Sequence, residues 1–386
     1  LKKLSIVTTT RAEYGLLKPV IEKFRKDKDI ELSLVVTGAH LCAAQGNTVS
    51  DIEKDGIGID KRISILSGDS DDTSVVMANA LKSFSEYFAT EKPEALMVLG
   101  DRFETMAICI AAYNRRIPII HIHGGETTEG AVDEAYRHSI TKMSQLHFPA
   151  TSEYRKRIIQ LGENPDNVYC VGALGVENAG NIETMSYREL EESIGIELGE
   201  KYAVGTFHPV TLENSTAAEQ INELLSSIEE YKDIHFIFTK ANLDSDGDVI
   251  NKSLEDFAAD HENFHLVGSL GVIRYMSALK GAAFVIGNSS SGIIEAPAFG
   301  IPTINIGDRQ KGRTAGKTVI NCEPVKEEIK RAIDKAMSQE FLDSIKDAVN
   351  PYGAGNTSDK IVQITKKYML ENSFNLKKKF YDLPDK

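Results

Sequence analysis

Short apolar runs alternate with amphipathic stretches through almost the whole chain, and this alternation restricts the fold more than any single motif. Residues 4–9, 32–37, 95–99, 117–122, 147–148 and 168–171 read as strands. Between them, 11–25, 75–88, 103–114, 134–146 and 152–161 have helical spacing, and 41–55 is expected to be helical in part. In the first helix Leu16, Leu17, Val20, Ile21 and Phe24 fall on one face. Wholly apolar strands alternating with helices imply parallel sheets covered on both faces. The pattern loosens over 173–199 and then restarts. Strands follow at 202–207, 235–239, 264–267, 282–286 and 302–306, with helices at 217–231, 249–259, 272–279 and 326–337. The expected fold is α/β, with two Rossmann-like domains at 1–172 and 173–357, and 386 residues suit two domains. A last helix within 358–386 is a candidate to pack back on the first domain. Ligands bind beyond the carboxyl ends of strands in such sheets, so the active site is expected in the interdomain cleft.

Composition narrows the partners. Hydrophobic content of 41% and charged content of 26% are those of a soluble globular protein. A net charge of -13 argues against nucleic acid or an anionic membrane as partner. An anionic ligand would have to be held locally, by arginine, lysine and backbone dipoles. Cys42, Cys109, Cys170 and Cys322 lie far apart without metal-ligand or redox spacing, so reduced thiols are expected. The opening Leu1-Lys2-Lys3-Leu4 runs straight into a strand and does not read as a signal peptide. No apolar run approaches membrane-spanning length, and the expected location is cytoplasmic.

Polar clusters sit where strands end. The run 282–286 enters Gly287-Asn288-Ser289-Ser290-Ser291-Gly292-Ile293-Ile294-Glu295. A strand passing through a Gly/Ser turn into a helix start is an anion site, because the first N–H groups of a helix lack partners. The hydroxyls of Ser289, Ser290 and Ser291 add donors, and Glu295 could accept from a ribose diol. Ordinary N-capping explains the same residues. Arg11 opens the first helix, where the dipole prefers an anion, so a phosphate would relieve the mismatch. His40, after the second strand, is either a polar lid residue or a satisfied buried histidine.

Asp101, in Gly100-Asp101-Arg102, suits both helix capping and acid–base work. The stretch His121-Ile122-His123-Gly124-Gly125-Glu126 and the following Asp133-Glu134 crowd titratable groups together. By strand alternation His121 and His123 should point the same way. Two histidines and Glu126 are part of a zinc ligand set, but no third-ligand spacing supports one, and no metal is expected. Crowded carboxylates push their pKa values apart, which makes Asp101, Glu126, Asp133 and Glu134 acid–base candidates. His208, in Phe207-His208-Pro209, and Arg309, in Gly307-Asp308-Arg309-Gln310, end two strands of the second half.

Taken together, seven motifs in this order resemble the hydrolysing UDP-N-acetylglucosamine 2-epimerases of sialic acid biosynthesis, over nearly the whole chain. They are Thr10-Arg11-Ala12-Glu13-Tyr14, Gly100-Asp101-Arg102, His121-Ile122-His123-Gly124-Gly125-Glu126, Arg137-His138-Ser139-Ile140-Thr141-Lys142, Phe207-His208-Pro209, Gly287-Asn288-Ser289-Ser290-Ser291-Gly292 and Gly307-Asp308-Arg309-Gln310. The resemblance implies a glycosyltransferase-B-like fold. It implies elimination of UDP to a 2-acetamidoglucal, then hydration with inversion at C2, giving N-acetylmannosamine. No cofactor is implied, and a metal is not required. It assigns catalysis to Asp101 and Asp133, with His208 near the leaving phosphate. Ser289, Ser290 and Arg11 would hold the diphosphate, Glu295 the ribose, and Arg309 would complete the anion pocket. Relatives often carry Glu at the position of His123, so either Glu126 takes that role or His123 serves as acid–base. They also often carry Lys at the position of Leu16. Lys18 would point about 200° away on a helix and does not inherit the role. A homodimer or homotetramer is implied, with helix 75–88 either an interface or ordinary sheet cover.

Three other functions fit the same residues. The nearest is a hydrolysing 2-epimerase of UDP-2,4-diacetamido-2,4,6-trideoxy-glucose, of the legionaminic acid route, which shares the His-Ile-His pattern. A nucleotide-sugar glycosyltransferase on the same fold would transfer the sugar to an acceptor. A nucleotide-sugar sensor would bind without turnover and leave the carboxylates idle.

Overall fold

The computed structural model describes residues 1–42, 48–66, 72–129, 132–210, 216–241 and 247–384. The chain forms two compact units. Unit one comprises Leu1–Glu126, Asp133–Glu177 and Gly355–Lys386; unit two comprises Thr127–Val132 and Asn178–Ala354.

Unit one is built on six strands: β1 (Lys2–Thr8), β2 (Ile30–Thr37), β3 (Lys61–Ile63), β4 (Ala95–Leu99), β5 (Ile119–Ile122) and β6 (Leu146–Phe148). They run parallel in the order β3-β2-β1-β4-β5-β6. The chain starts mid-sheet, builds outward through β2 and β3, then returns to add β4 on the other side of β1. The connections leaving β1 and β4 cover opposite faces, which opens a crevice at their carboxyl ends. Side-chain alternation shows this directly. Leu4, Ile6, Met97 and Leu99 pack with Leu17, Val20 and Phe24 of helix Arg11–Arg25. Val7, Leu96 and Val98 face the other way, onto helices Thr73–Glu91 and Phe103–Asn114. Each fully buried phenylalanine here, such as Phe24 or Phe84, contributes about 1.5–3 kcal/mol.

Helix Thr357–Leu370 lies on Arg11–Arg25 and adds Ile361 and Met369 to the first of these cores. Beyond it, Lys378 Nζ donates to the carbonyls of Lys142 (2.8 Å) and Ser144 (2.7 Å) and to Glu163 (2.6 Å). Glu163 is buried and also accepts from Lys142 and His147.

Unit two repeats the plan with β7 (Tyr202–Thr206), β8 (His235–Thr239), β9 (Phe264–Val267), β10 (Phe284–Gly287), β11 (Thr303–Ile306) and β12 (Val319–Cys322). The parallel order is β12-β11-β10-β7-β8-β9, so its crevice lies between β7 and β10. Two cores again flank the sheet, one around Phe236, Phe238 and Phe284, the other around Tyr202, Ile237 and Leu279.

Several sequence expectations are corrected. The stretch 168–171 is not a strand; it forms one bridge, Val168 to His147, and two further backbone bonds to the β6 segment. Pro149 cannot donate to a ladder, which limits pairing there. The strands β3 and β12 escaped the sequence reading because they are short: β3 is Lys61-Arg62-Ile63, two of its three residues charged, and β12 is Val319-Ile320-Asn321-Cys322, broken by Asn321. Of the helix expected over 41–55, residues 43–47 lie outside the described residues. Gly38–Leu41 is a 3-10 turn, and Val49–Lys54 is α-helical. The loosened region holds helices Leu174–Asn181 and Tyr187–Ile194; the second starts at a capping box, Ser186 with Glu189. Among the described residues no helix is long and apolar enough to cross a membrane.

Candidate active site

The crevice of unit one gathers most of the titratable residues singled out above. Gly100 takes a positive φ of 79° directly after β4, which turns the chain toward Asp101. The Gly100 carbonyl accepts from His121 Nε2 at 2.7 Å, and His121 Nδ1 accepts from the Thr141 hydroxyl at 3.1 Å. His121 is fully buried, and burial pushes its pKa down to about 3, so it is a neutral strut. The expected strand alternation of His121 and His123 fails. β5 ends at Ile122, and His123 has a φ of 62°, a conformation costly for a non-glycine residue. The His123 ring is turned toward the start of helix Leu174–Asn181, where Nε2 accepts from the Leu174 N–H at 3.5 Å. Its Nδ1 lies 3.9 Å from the buried carboxylate of Glu126. Among the described residues no group of three or more His, Cys, Asp or Glu is placed to hold a metal ion.

Asp101 is tied to Arg137, whose guanidinium bonds its carboxylate. Arg137, on helix Asp133–Met143, is itself buried and also donates to Glu134 (2.5 Å) and to the carbonyl of Glu126 (3.0 Å). Asp133 opens the same helix. Burial raises its pKa, the Asp101 carboxylate raises it further, and Arg102 and Arg137 only partly offset this. Asp101 and Asp133 thus differ in setting: Asp101 is ion-paired with Arg137, and Asp133 is a buried carboxyl whose pKa is raised.

Arg102 is bidentate on the buried Glu104, at 3.1 and 3.0 Å. Glu13 comes from the first turn of helix Arg11–Arg25, where Thr10 caps the Glu13 N–H. Its Oε2 accepts from the N–H and hydroxyl of Thr9, at 2.7 and 2.8 Å. Burial pushes the Glu13 carboxyl up to about 7, against the lowering pull of Arg102. Arg11 is paired with Asp51 at 3.3 Å, which meets its mismatch with the helix dipole; its side chain is 45% exposed, so it remains accessible. Lys18 pairs with Asp55. His40 is fully buried, both ring nitrogens bonded to the hydroxyls of Thr8 and Thr48, and burial pushes its pKa down to about 4. Of the two sequence readings of His40, the satisfied buried histidine is the one observed.

In unit two the crevice is organised by Asn288. Its side chain accepts from the His208 N–H (2.7 Å) and donates to the His208 carbonyl (2.8 Å). Its own carbonyl accepts from Arg309 Nη1 (3.1 Å) and Gln310 Nε2 (2.9 Å). Through its side-chain amide and its main-chain carbonyl, one buried asparagine therefore ties the ends of β7 and β10 to the loop after β11. His208 is held neutral, its pKa pushed down to about 3 by burial and then by Arg309. Ser289 and Ser290 form the turn itself. Ser291 starts a helix of only four residues, Ser291–Ile294, and Glu295 follows, half-buried. Pro297 converts the continuation to a 3-10 turn, Ala296–Phe299. The helix start expected at this turn is present as a single helical turn, with Arg309 bonded to the Asn288 carbonyl just before it.

Asn288, Glu13 and Arg137 stand in the sequence motifs but receive no role from sequence reasoning. Glu13 had a readable signal, the capping pattern Thr10-Arg11-Ala12-Glu13. Arg137 and Asn288 had none, since their partners are distant in sequence.

Two doubly wound units with clustered carboxylates at one switch point and a Ser/Asn turn at the other define a class of nucleotide-dependent enzyme scaffolds. The profile of the UDP-N-acetylglucosamine 2-epimerase family matches residues 22–366. The chain is 41% identical to polysialic acid biosynthesis protein P7 of Escherichia coli, over 100% of this chain and 98% of that one. It is 39% identical to the hydrolyzing GDP/UDP-N,N'-diacetylbacillosamine 2-epimerase of Campylobacter jejuni, over 88% of each. The crystal structure of UDP-GlcNAc 2-epimerase from Neisseria meningitidis bound to UDP-GlcNAc has the same fold. Its TM-score is 0.81 at 21% identity, covering 95% of this chain and 100% of that one. This chain belongs to the UDP-N-acetylglucosamine 2-epimerase family and is an enzyme of that family, with two Rossmann-like units of glycosyltransferase-B-like fold.

Proposed function

We propose that this enzyme is of the hydrolysing type and acts on a UDP-2-acetamido sugar. A base removes the C2 proton as the C1–oxygen bond to the diphosphate breaks, releasing UDP and a 2-acetamidoglucal. Water then adds its oxygen to C1 while a proton reaches C2 from the opposite face, giving the free 2-epimer, N-acetylmannosamine from UDP-N-acetylglucosamine. Asp101 and Asp133 share the two proton transfers, with Glu126 and His123 beside them. The observation that carries this is the unequal setting of Asp101 and Asp133 at one strand-end crevice, which suits consecutive removal and delivery of a proton. Ser289, Ser290, Ser291, Arg309 and the exposed Arg11 bind the diphosphate, and Glu295 accepts from the ribose. The neutral His208 donates to the leaving phosphate rather than adding charge. His40 supports substrate binding by fixing the turn at Thr8, ahead of Arg11. Product for sialic acid synthesis, a cytoplasmic location and a homodimeric or homotetrameric assembly complete the proposal.

A second substrate is favoured by the name of the Campylobacter jejuni relative: the 2,4-diacetamido-2,4,6-trideoxy nucleotide sugar. Proton NMR in deuterated water decides between them. Free N-acetylmannosamine carrying deuterium at C2, together with UDP, is expected from UDP-N-acetylglucosamine, and Asp101→Asn is expected to abolish it. Turnover of the diacetamido sugar alone would move the assignment. Turnover of neither would overturn the epimerase proposal.

A further inference from the structure

Arg137 is among the largest fully buried side chains of the protein, at 1% exposure. A buried guanidinium is unfavourable unless paired and hydrogen-bonded, so its partners are informative. Among the described residues they include groups on three segments: the Asp101 carboxylate just after β4, the Glu134 carboxylate beside Asp133, and the carbonyl of Glu126 in the loop after β5. Each segment carries one member of the acid–base set proposed above. Glu134 is in turn bonded by His138 Nε2 at 3.0 Å, which fixes its second oxygen. Among the described residues the charged groups around this guanidinium include Asp101, Asp133 and Glu134, with Arg102 also acting on Asp133 and the neutral His121 on the strand side.

A planar fork reaches acceptors in several directions at fixed angles; an ammonium offers the same charge from one point. Without the fork the Asp101 carboxylate loses the guanidinium that holds its orientation, and its charge is coupled unfavourably to that of Asp133. We propose that Arg137 is a positioning residue: its guanidinium fixes the Asp101 carboxylate and the Glu126 loop in the geometry that proton transfer at C2 requires. This rests on the proposed acid–base function of Asp101.

The test compares Arg137→Lys and Arg137→Ala in the full-length enzyme, with the substrate that the wild type turns over. Arg137→Lys keeps the charge and is expected to lose about 100-fold in kcat, the scale of an ångström misplacement, while KM changes less than about threefold. Arg137→Ala is expected to be nearly inactive and to recover kcat at least about tenfold with added guanidinium, but not with tetramethylammonium at equal ionic strength. A purely structural role would instead give guanidinium recovery of the melting temperature without recovery of kcat, and that would overturn the inference. So would wild-type kcat in Arg137→Lys, or a rise in KM at constant kcat, which would make Arg137 a substrate ligand. If Asp101→Asn is inactive while Arg137→Lys is fully active, only the positioning role fails. If Asp101→Asn is fully active, or the wild type is silent, the acid–base function itself fails and takes this role with it.

Discussion

Replacing Gly287 by alanine tests how the turn of unit two is held. Gly287 ends β10 with a φ of 132°, a backbone state that L-residues rarely adopt, and it pairs in register with Thr206 of β7. A Cβ built there falls 2.0 Å from the Thr206 carbonyl oxygen and 2.8 Å from its carbon. Because contacts under 3.0 Å are essentially never seen, one strand must move by at least 3.0 − 2.0 = 1.0 Å, and both obstructing atoms are backbone. The same carbonyl accepts the Asn288 N–H at 3.1 Å, and Asn288 holds His208, so the shift spreads to the whole turn. The dihedral costs about 1–3 kcal/mol and the overpacking about 1–3 kcal/mol, roughly 2–6 kcal/mol together. That is a large share of a domain's stability of about 5–15 kcal/mol. For a unit of this size it corresponds to a melting shift of about 5–20 °C. Gly300→Ala is the control. Its φ is 69° but no atom lies within 4 Å of the added Cβ, so only the dihedral cost of about 1 kcal/mol applies. Calorimetry and UDP titration should show Gly287→Ala melting well below Gly300→Ala and binding UDP at least about tenfold more weakly. Equal melting and unchanged UDP affinity would refute the reasoning.

Two buried carboxylates should give stability slopes of opposite sign with pH. Burial would raise the Glu163 pKa, but the His147 hydrogen bond and the ammoniums of Lys142 and Lys378 overcome it, lowering the value from 4.5 to about 2. Glu163 therefore stabilises the fold fully above pH 4.5, and about 3 kcal/mol is lost as pH falls toward 2. Urea unfolding of Glu163→Gln should lack that acid slope; an unchanged slope would show that the cluster contributes nothing. Glu13 is raised from 4.5 to about 7, so the folded state binds its proton more tightly. It is stabilising below pH 4.5, and about 3 kcal/mol is lost as pH rises from 4.5 through 7. Glu13→Gln should remove this loss and gain on the wild type as pH rises; a gap constant with pH would place the Glu13 carboxylate in an ordinary environment.

The strand–helix alternation determined much of this protein from sequence alone. Strands such as β4, Ala95–Leu99, are buried on both faces and must be apolar throughout, so they announce themselves. The central crevices were equally legible, since Gly100-Asp101-Arg102 and Gly287-Asn288-Ser289 follow apolar strands and turn residues mark where strands stop. The short strands β3 and β12 were not, because three or four residues interrupted by Lys61, Arg62 or Asn321 read as loop. Within the crevices, sequence supplied the residue types and tertiary structure supplied their states. Nothing local turns His123 out of the β5 alternation or buries Glu13 until its carboxyl titrates near neutrality. Arg137 reaches a carboxylate 36 positions away and a carbonyl 11 away, and Asn288 bonds His208 across 80. Hydrophobic periodicity is a property of neighbouring residues, and the sequence carries it. Ion pairs, tautomers and shifted pKa values depend on which distant groups the fold brings within hydrogen-bonding reach and out of water, and only the folded chain decides that.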